Sequence, residues 1–150
     1  MIVIRKLTWL ALSLLCLFFL GCAFKSRDAY INDLNDRNWK VRYNAVIELG
    51  VNREVQAVPG LIEKLSDEND LVREAAARSL YWIGDVRARE ALERALKDRN
   101  RFVREKAVSA LGKIGAIESL PALNESLRDT DKGVRIAAGL AIQKIRDKER

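Results

Sequence analysis

The chain carries two thiols and no imidazole, and that inventory narrows its chemistry at once. Cys16 and Cys22 are its only cysteines, and both stand before Ala23. The rest of the chain therefore builds no disulfide framework and no cysteine metal cluster. Without histidine there is no imidazole base, no Ser-His-Asp triad and no His-based metal site. Neighbouring acids remain, Asp67 with Glu68 and Asp129 with Asp131. Paired carboxylates can share acid–base work. Asp67 and Asp129, however, recur at one fixed step along the chain, which a single active site does not require. Gly112-Lys113-Ile114-Gly115 sets glycines around a lysine, but no strand precedes it and no G-x-x-x-x-G-K-[ST] exists. It reads as a helix end. Arg87, Arg89, Arg94, Arg99, Arg101 and Arg104 form a basic stretch of the kind that contacts phosphates. Asp85, Glu90, Glu93, Asp98 and Glu105 are interleaved with it, so it reads as a solvated mixed-charge surface and nucleic acid is disfavoured. No catalytic residue, metal site or cofactor is expected.

The fixed step is 31 residues, and it organises the chain. Asp36, Asp67, Asp98 and Asp129 keep it. The Val-Arg pairs ending in Arg42, Arg73, Arg104 and Arg135 keep it too. So do Ala45, Ala76, Ala107 and Ala138, and the series Leu49, Leu80, Leu111 and Ile142. Upstream, Leu34, Leu65, Leu96 and Leu127 repeat, as do the small residues Ala29, Gly60, Ala91 and Ala122. Chance does not hold six columns in register over four copies without an insertion. The copies are assigned to 26–56, 57–87, 88–118 and 119–149, within a repeat domain of 26–150.

Each copy reads as two helices. Ala91, Leu92, Ala95 and Leu96 form the apolar stripe of a first helix, which ends near the Asp. Pro59 and Pro121 fall in the first turn of their helices, where a missing N–H is harmless. The second helix starts after Asn38, Asn69, Asn100 or Asp131, all good N-cap types. Val103, Ala107, Ala110, Leu111 and Ile114 give its helical period. Gly84 and Gly115 stand where it should stop, while Arg53 replaces that glycine in copy one. Gly139, Gln143 and Lys144 loosen the pattern in copy four, and departures at both ends suit terminal caps. One helix pair cannot bury its apolar face alone, so the copies must stack. The Asp and Arg columns are expected to form a structural ladder, each Arg reaching an Asp of its own or a neighbouring copy.

The pattern D-x-x-x-x-V-R-x-x-A-x-x-A-L-G-x-I is kept best from Asp98 to Ile114. It resembles the HEAT-like repeats first named from phycobilisome lyases, over Ser26 to Glu149. The resemblance implies an all-α fold, a right-handed α-solenoid of four 31-residue helix pairs behind an N-terminal signal segment. Some relatives of this kind are enzymes, including deoxyhypusine hydroxylase with His-Glu ligands, and a chain without histidine cannot supply those.

The N-terminal run Leu7–Leu20 is apolar and follows Arg5 and Lys6. A basic start before about 7–15 apolar residues is the signal-peptide pattern, and the run is short against the roughly 20 residues of a spanning helix. Phe19-Leu20-Gly21-Cys22 resembles a bacterial lipobox. That resemblance implies cleavage after residue 21, a lipid on Cys22, and a short tether at 22–25. The alternative is an uncleaved signal anchor. Both place the domain in the cell envelope on the periplasmic side, anchored to a membrane. Ala23 rather than Asp after Cys22 favours the outer membrane. Losing Arg5 and Lys6 with residues 1–21 lowers the net charge from +6 to +4.

In HEAT stacks the second helices line the concave face. Outside the core columns, that face receives Tyr43, Ile47 and Val51 from copy one and Glu74, Arg78, Tyr81 and Trp82 from copy two. Copies three and four add Glu105, Ser109, Lys113, Ile136 and Leu140. Tyr, Trp and Arg are the usual anchors of protein interfaces. Tyr43, Ile47, Arg78, Tyr81 and Trp82 are therefore candidates for binding another protein, and Trp82 serves equally well folded over the next copy as core. The expected function is a non-catalytic, membrane-tethered binding or scaffolding module. The alternative is an accessory subunit that positions a substrate for a partner enzyme.

Overall fold

The computed structural model describes residues 25–148 and 150. The expected signal segment and Cys22 lie outside them. The described residues contain eight α-helices and no strand. They form four pairs: α1 (Arg27–Asp33) with α2 (Trp39–Val51), α3 (Val58–Lys64) with α4 (Asp70–Ile83), α5 (Arg89–Ala95) with α6 (Arg101–Ile114), and α7 (Leu120–Ser126) with α8 (Lys132–Lys148). Three short 3-10 turns, at Val55–Ala57, Val86–Ala88 and Ile117–Ser119, lead into α3, α5 and α7. Each pair packs on the next, and the second helices also touch directly. This is the stacked all-α architecture that the period implies. Among the described residues no helix is long and apolar enough to cross a membrane.

The helix starts follow from the caps. Asn38, Asn69 and Asn100 each accept the N–H two residues ahead, from Lys40, Leu71 and Phe102, at 2.8–3.0 Å. Asp131 does the same for Gly133 at 2.8 Å. These oxygens satisfy donors that an α-helix leaves without partners.

The core is one continuous column of Leu, Val, Ile and Ala threading all four copies. Its members recur at the repeat step because each position meets the same neighbours in every copy. Two close approaches lie between copies. A Cβ built on Gly50 would sit 2.2 Å from Ser79 Oγ, and one on Gly112 would sit 2.7 Å from Ala141 Cβ. Ser79 Oγ uses the proximity to donate to the Val46 carbonyl at 2.8 Å. On the other layer Leu34 Cδ1 lies 2.7 Å from the place of a Gly60 Cβ. Small residues therefore set the spacing between copies.

Gly84 and Gly115 end α4 and α6 at φ 72° and 78°. Arg53 takes the same left-handed turn after α2, with φ 52°. Two bonds close that end: Glu54 N–H donates to the Leu49 carbonyl and Arg53 N–H to the Gly50 carbonyl, both at 3.0 Å. The position thus works without glycine, against the side-chain crowding that makes left-handed turns costly, about 1–2 kcal/mol. Glycine's extra freedom in the unfolded chain offsets part of the relief. Arg53→Gly should raise stability by roughly 0.5–1 kcal/mol. A thermal melt checks this, and an unchanged or lower midpoint would show the turn is unstrained.

Candidate functional site

Two polar constructions run through the stack. The first is the Arg–Asp ladder. Arg73 shows its form. Nε donates to Asp98 Oδ2 at 2.7 Å and Nη2 to Asp98 Oδ1 at 3.1 Å. Nη1 donates to the carbonyls of Asp67 and Glu68 in its own copy, at 2.9 and 3.2 Å. Arg42 grips Asp67 in the same way and also reaches Glu68 at 3.0 Å. Arg104 grips Asp129 at 2.7 and 2.8 Å. Every such pair joins one copy to the next. Each acceptor carboxylate also takes the N–H two residues on, from Asn69, Asn100 or Asp131. The ends differ. Arg135 donates only to the Asp129 and Thr130 carbonyls, and Asp36 accepts only the Asn38 N–H, among the described residues.

The pairs are nearly enclosed, with side-chain exposures of 8% and 5% for Arg42 and Asp67. Burial pushes the Asp67 carboxyl up, but bonds from Arg42 and the Asn69 N–H outweigh it and hold the group below its ordinary 3.8. The Arg104 bond holds Asp129 down against its own burial. The same bonds raise the guanidiniums of Arg42 and Arg104. The folded state thus binds these carboxyl protons more weakly than the unfolded chain does. The stabilisation is whole above pH 3.8 and drains away as acid passes through the lower folded values.

The second construction lies on the face of the second helices. Arg78, on α4, donates from Nη2 to Tyr43 Oη on α2 at 3.4 Å. Its guanidinium carbon stands 5.4 Å from the centre of the Trp82 ring. Arg78 Nε is enclosed without a hydrogen-bond partner among the described residues. Arg78, Tyr81 and Trp82 line a cleft of about 260 Å³ with Lys106 and Ser109 of α6. Tyr81 is exposed, while Trp82 is half-buried. Tyr43 and Ile47 are half-buried and pack against the core, so they face solvent less than their columns suggest. Further along, Glu105, Ser109, Ile136, Leu140 and Lys144 border an open groove of about 450 Å³ between α6 and α8.

The structure brings Tyr43, Arg78, Tyr81 and Trp82 together, and no bond joins Ile47 to them. Lys106 is a lining residue that sequence reasoning missed. Its column reads Asn44, Ala75, Lys106 and Ala137, and the alternation of polar and small residues was the available signal. The basic stretch is mostly spoken for. Arg87 pairs with Asp85, Arg89 with Glu90 and Glu93, Arg101 with Asp131, and Arg104 with Asp129. Among the described residues no three His, Cys, Asp or Glu side chains are grouped to hold a metal ion.

The chain matches the family described as HEAT repeats over residues 28–112 and 92–150. Among solved structures it is similar to an engineered protein, at 19% identity and a TM-score of 0.70, covering 81% of this chain and 62% of that one. It is similar to the complex of CpcE and CpcF of phycocyanin lyase from Nostoc sp. PCC7120, at 23% identity and a TM-score of 0.58, covering 83% and 66%. It is also similar to human deoxyhypusine hydroxylase in complex with glycerol, at 26% identity and a TM-score of 0.70, covering 82% and 44%. The chain thus spans less than two thirds of each of these chains. No curated protein matches it.

Breaking one internal ladder pair leaves a carboxylate without its guanidinium. Arg73→Ala should lower stability by roughly 1–3 kcal/mol, the range for stranding a buried polar group. Arg135→Ala strands no carboxylate and should cost less. Thermal melts of both variants at neutral pH, and of the unaltered protein below pH 4, measure this. No loss in either melt would show the ladder is solvated surface, and equal losses would show that the aspartate fork adds nothing to the carbonyl bonds.

Proposed function

The chain belongs to the HEAT-repeat family, and we propose that it is a non-catalytic scaffold that docks a protein partner on the face of its second helices. The observation that carries this reading is the Tyr43–Arg78–Trp82 cluster beside the exposed Tyr81. In a surface serving only to keep the stack in solution, an enclosed guanidinium nitrogen without an acceptor costs stability for no return. A partner presenting a carboxylate at the cleft would satisfy it once the Arg78 side chain turns outward to meet that group. The aromatic side chains supply rigid apolar area around that polar contact, which is how interface anchors are built. The absence of histidine from the whole sequence supports a non-catalytic role.

The tether is part of the same proposal. Arg5 and Lys6, the apolar run Leu7–Leu20 and Gly21-Cys22 support export and a lipid at Cys22, holding the scaffold at the periplasmic side of an envelope membrane. Similarity to a phycocyanin lyase complex favours a second reading, in which the array positions a substrate for a partner enzyme. Both readings use the same face and differ in whether the captured partner is itself an enzyme.

Interface anchors carry about 2 kcal/mol or more. Tyr81→Ala should therefore weaken partner capture by at least about tenfold and leave the melt unchanged. The measurement is crosslinking in intact cells, followed by affinity capture from the unaltered and variant proteins. Intact capture with an intact melt moves the binding site elsewhere. Cys22→Ser should release the protein from the membrane fraction and change its gel mobility. A variant that stays bound at unchanged mobility assigns the segment to an uncleaved signal anchor.

A further inference from the structure

The cleft between α4 and α6 is built from residues that the stack does not require. Arg78 occurs once in its column, which reads Ile47, Arg78, Ser109 and Leu140. Tyr81 stands in a column with Gly50, Gly112 and Gln143, and Trp82 in one with Val51, Lys113 and Lys144. Lys106 shares its column with Asn44, Ala75 and Ala137. Arg78, Tyr81, Trp82, Lys106 and Ser109 line the cleft. Among the described residues its wall thus carries two cations, two aromatic rings and a hydroxyl, but no carboxylate. It lies at an internal joint, between copies two and three.

The charge of that wall is not neutralised within the described residues. Arg42, Arg73, Arg89 and Arg104 are buried or half-buried, and each is paired with a carboxylate. Arg78 is half-buried too and has no such partner. Its guanidinium makes a long 3.4 Å bond to the Tyr43 hydroxyl and stands 5.4 Å from the Trp82 ring centre. Nε has no acceptor. Lys106 Nζ meets only its sequence neighbour Glu105, at 3.3 Å, and Glu105 borders the next groove along α6. A charged donor bonded to a carboxylate is held more strongly than one bonded to a neutral hydroxyl. A carboxylate entering the cleft therefore draws Arg78 outward, where Nε and Nη2 meet its two oxygens as those of Arg73 meet Asp98. Tyr81 and Trp82 then flank the pair with apolar area.

We propose, on the reading that partners dock on this face, that the occupant of the cleft is an acidic peptide segment. One Asp or Glu side chain of the partner sits between Arg78 and Lys106, and an apolar side chain beside it packs on Tyr81 and Trp82. Size decides against a small-molecule ligand. The cleft holds about 260 Å³, below the about 300–1,000 Å³ of small-molecule pockets. Shape decides against a chain end. Ser109 borders both this cleft and the groove between α6 and α8, so the track runs on rather than closing. A continuous stretch of partner chain crosses the second helices along it, with its acid at the α4–α6 step.

The test measures binding of fluorescently labelled peptides to the full chain in detergent solution. Two short peptides, blocked at both ends, differ at one position beside a phenylalanine: glutamate in the first, glutamine in the second. The glutamate peptide should bind at least about tenfold more tightly, and added salt should narrow the gap. Lys106→Glu should erase the preference. A third peptide with lysine at that position should then bind the Lys106→Glu protein better than the glutamate peptide does, because the swapped charges pair. Arg78→Gln should erase the preference as well. Circular-dichroism melts of both variants separate lost contacts from lost folding. Equal or absent binding of the first two peptides, or a glutamate preference that survives Lys106→Glu and Arg78→Gln, would overturn the proposal. So would a glutamine peptide that matches the glutamate one once its C-terminal carboxylate is freed. Should Tyr81→Ala still abolish partner capture in intact cells, the docking face stands and only its acidic occupant falls. Peptide binding and capture both undiminished by Tyr81→Ala overturn the two together.

Discussion

One side chain per joint holds the stack in register, and it is an arginine for geometric reasons. The guanidinium is planar and its donors point outward along different edges of that plane, so it serves two masters. With Nη1 it ties down the carbonyls of its own inter-helix turn, and with Nε and Nη2 it takes both oxygens of the next copy's aspartate. Lysine could neutralise that aspartate but could not close the turn at the same time. The aspartate is equally committed, because it also fixes the backbone two residues ahead, where the next second helix begins. A helix start, a turn and an inter-copy contact thus share one ion pair. The apolar column supplies most of the burial, yet apolar contact is non-directional and tolerates sliding. The fork does not, and it explains how a core built largely from Ala, Val and Leu stays in one register.

The parts of this fold that recur were legible in the sequence, because recurrence is the signal. Four aspartates, four arginines and four caps at one step specified the helix pairs before any coordinate. The direction of pairing was not legible. An arginine six residues after one aspartate and 25 before the next sits near both along the chain, and only the packed turn decides for the farther one. The reach of Ser79 to Val46 was hidden as well, since it depends on Gly50 being a glycine in another helix. Leu127 belongs by pattern to a buried column, and it is exposed because no further copy lies against it among the described residues. Tyr43 and Ile47 fall outside the strict core columns, yet they pack on the core because long side chains at the margin of a helical face lean inward.

The candidate site was legible in a weaker sense. Period analysis separates positions that every copy must share from positions that each copy is free to vary. Chemistry specific to this protein can only sit in the second set. That reasoning selected Tyr43, Ile47, Arg78, Tyr81 and Trp82, and the structure gathers all of them but Ile47 around Arg78 on neighbouring helices. It could not foresee that Arg78 would bridge the two aromatic residues with one nitrogen left over. Such contacts depend on rotamers, which a period does not encode.

The column through Gly50 shows how a stack of this kind makes room for a site. In copies one and three the position is glycine, and the neighbouring second helix presses directly on its backbone. In copy two it is Tyr81, and the register sets it opposite Ala110, which is fully buried. A tyrosine cannot enter a contact that leaves no space for a single Cβ. Its side chain is therefore turned outward, where it walls the cleft between α4 and α6. The joint keeps its Arg73–Asp98 fork throughout, so register survives the substitution. Because each copy contacts only its neighbours, the cost of giving up one close approach stays local to that joint. A repeat protein can in this way replace one structural glycine with a large exposed side chain and leave the remaining joints untouched. The middle of the array, braced from both sides, is the place where that exchange disturbs the stack least.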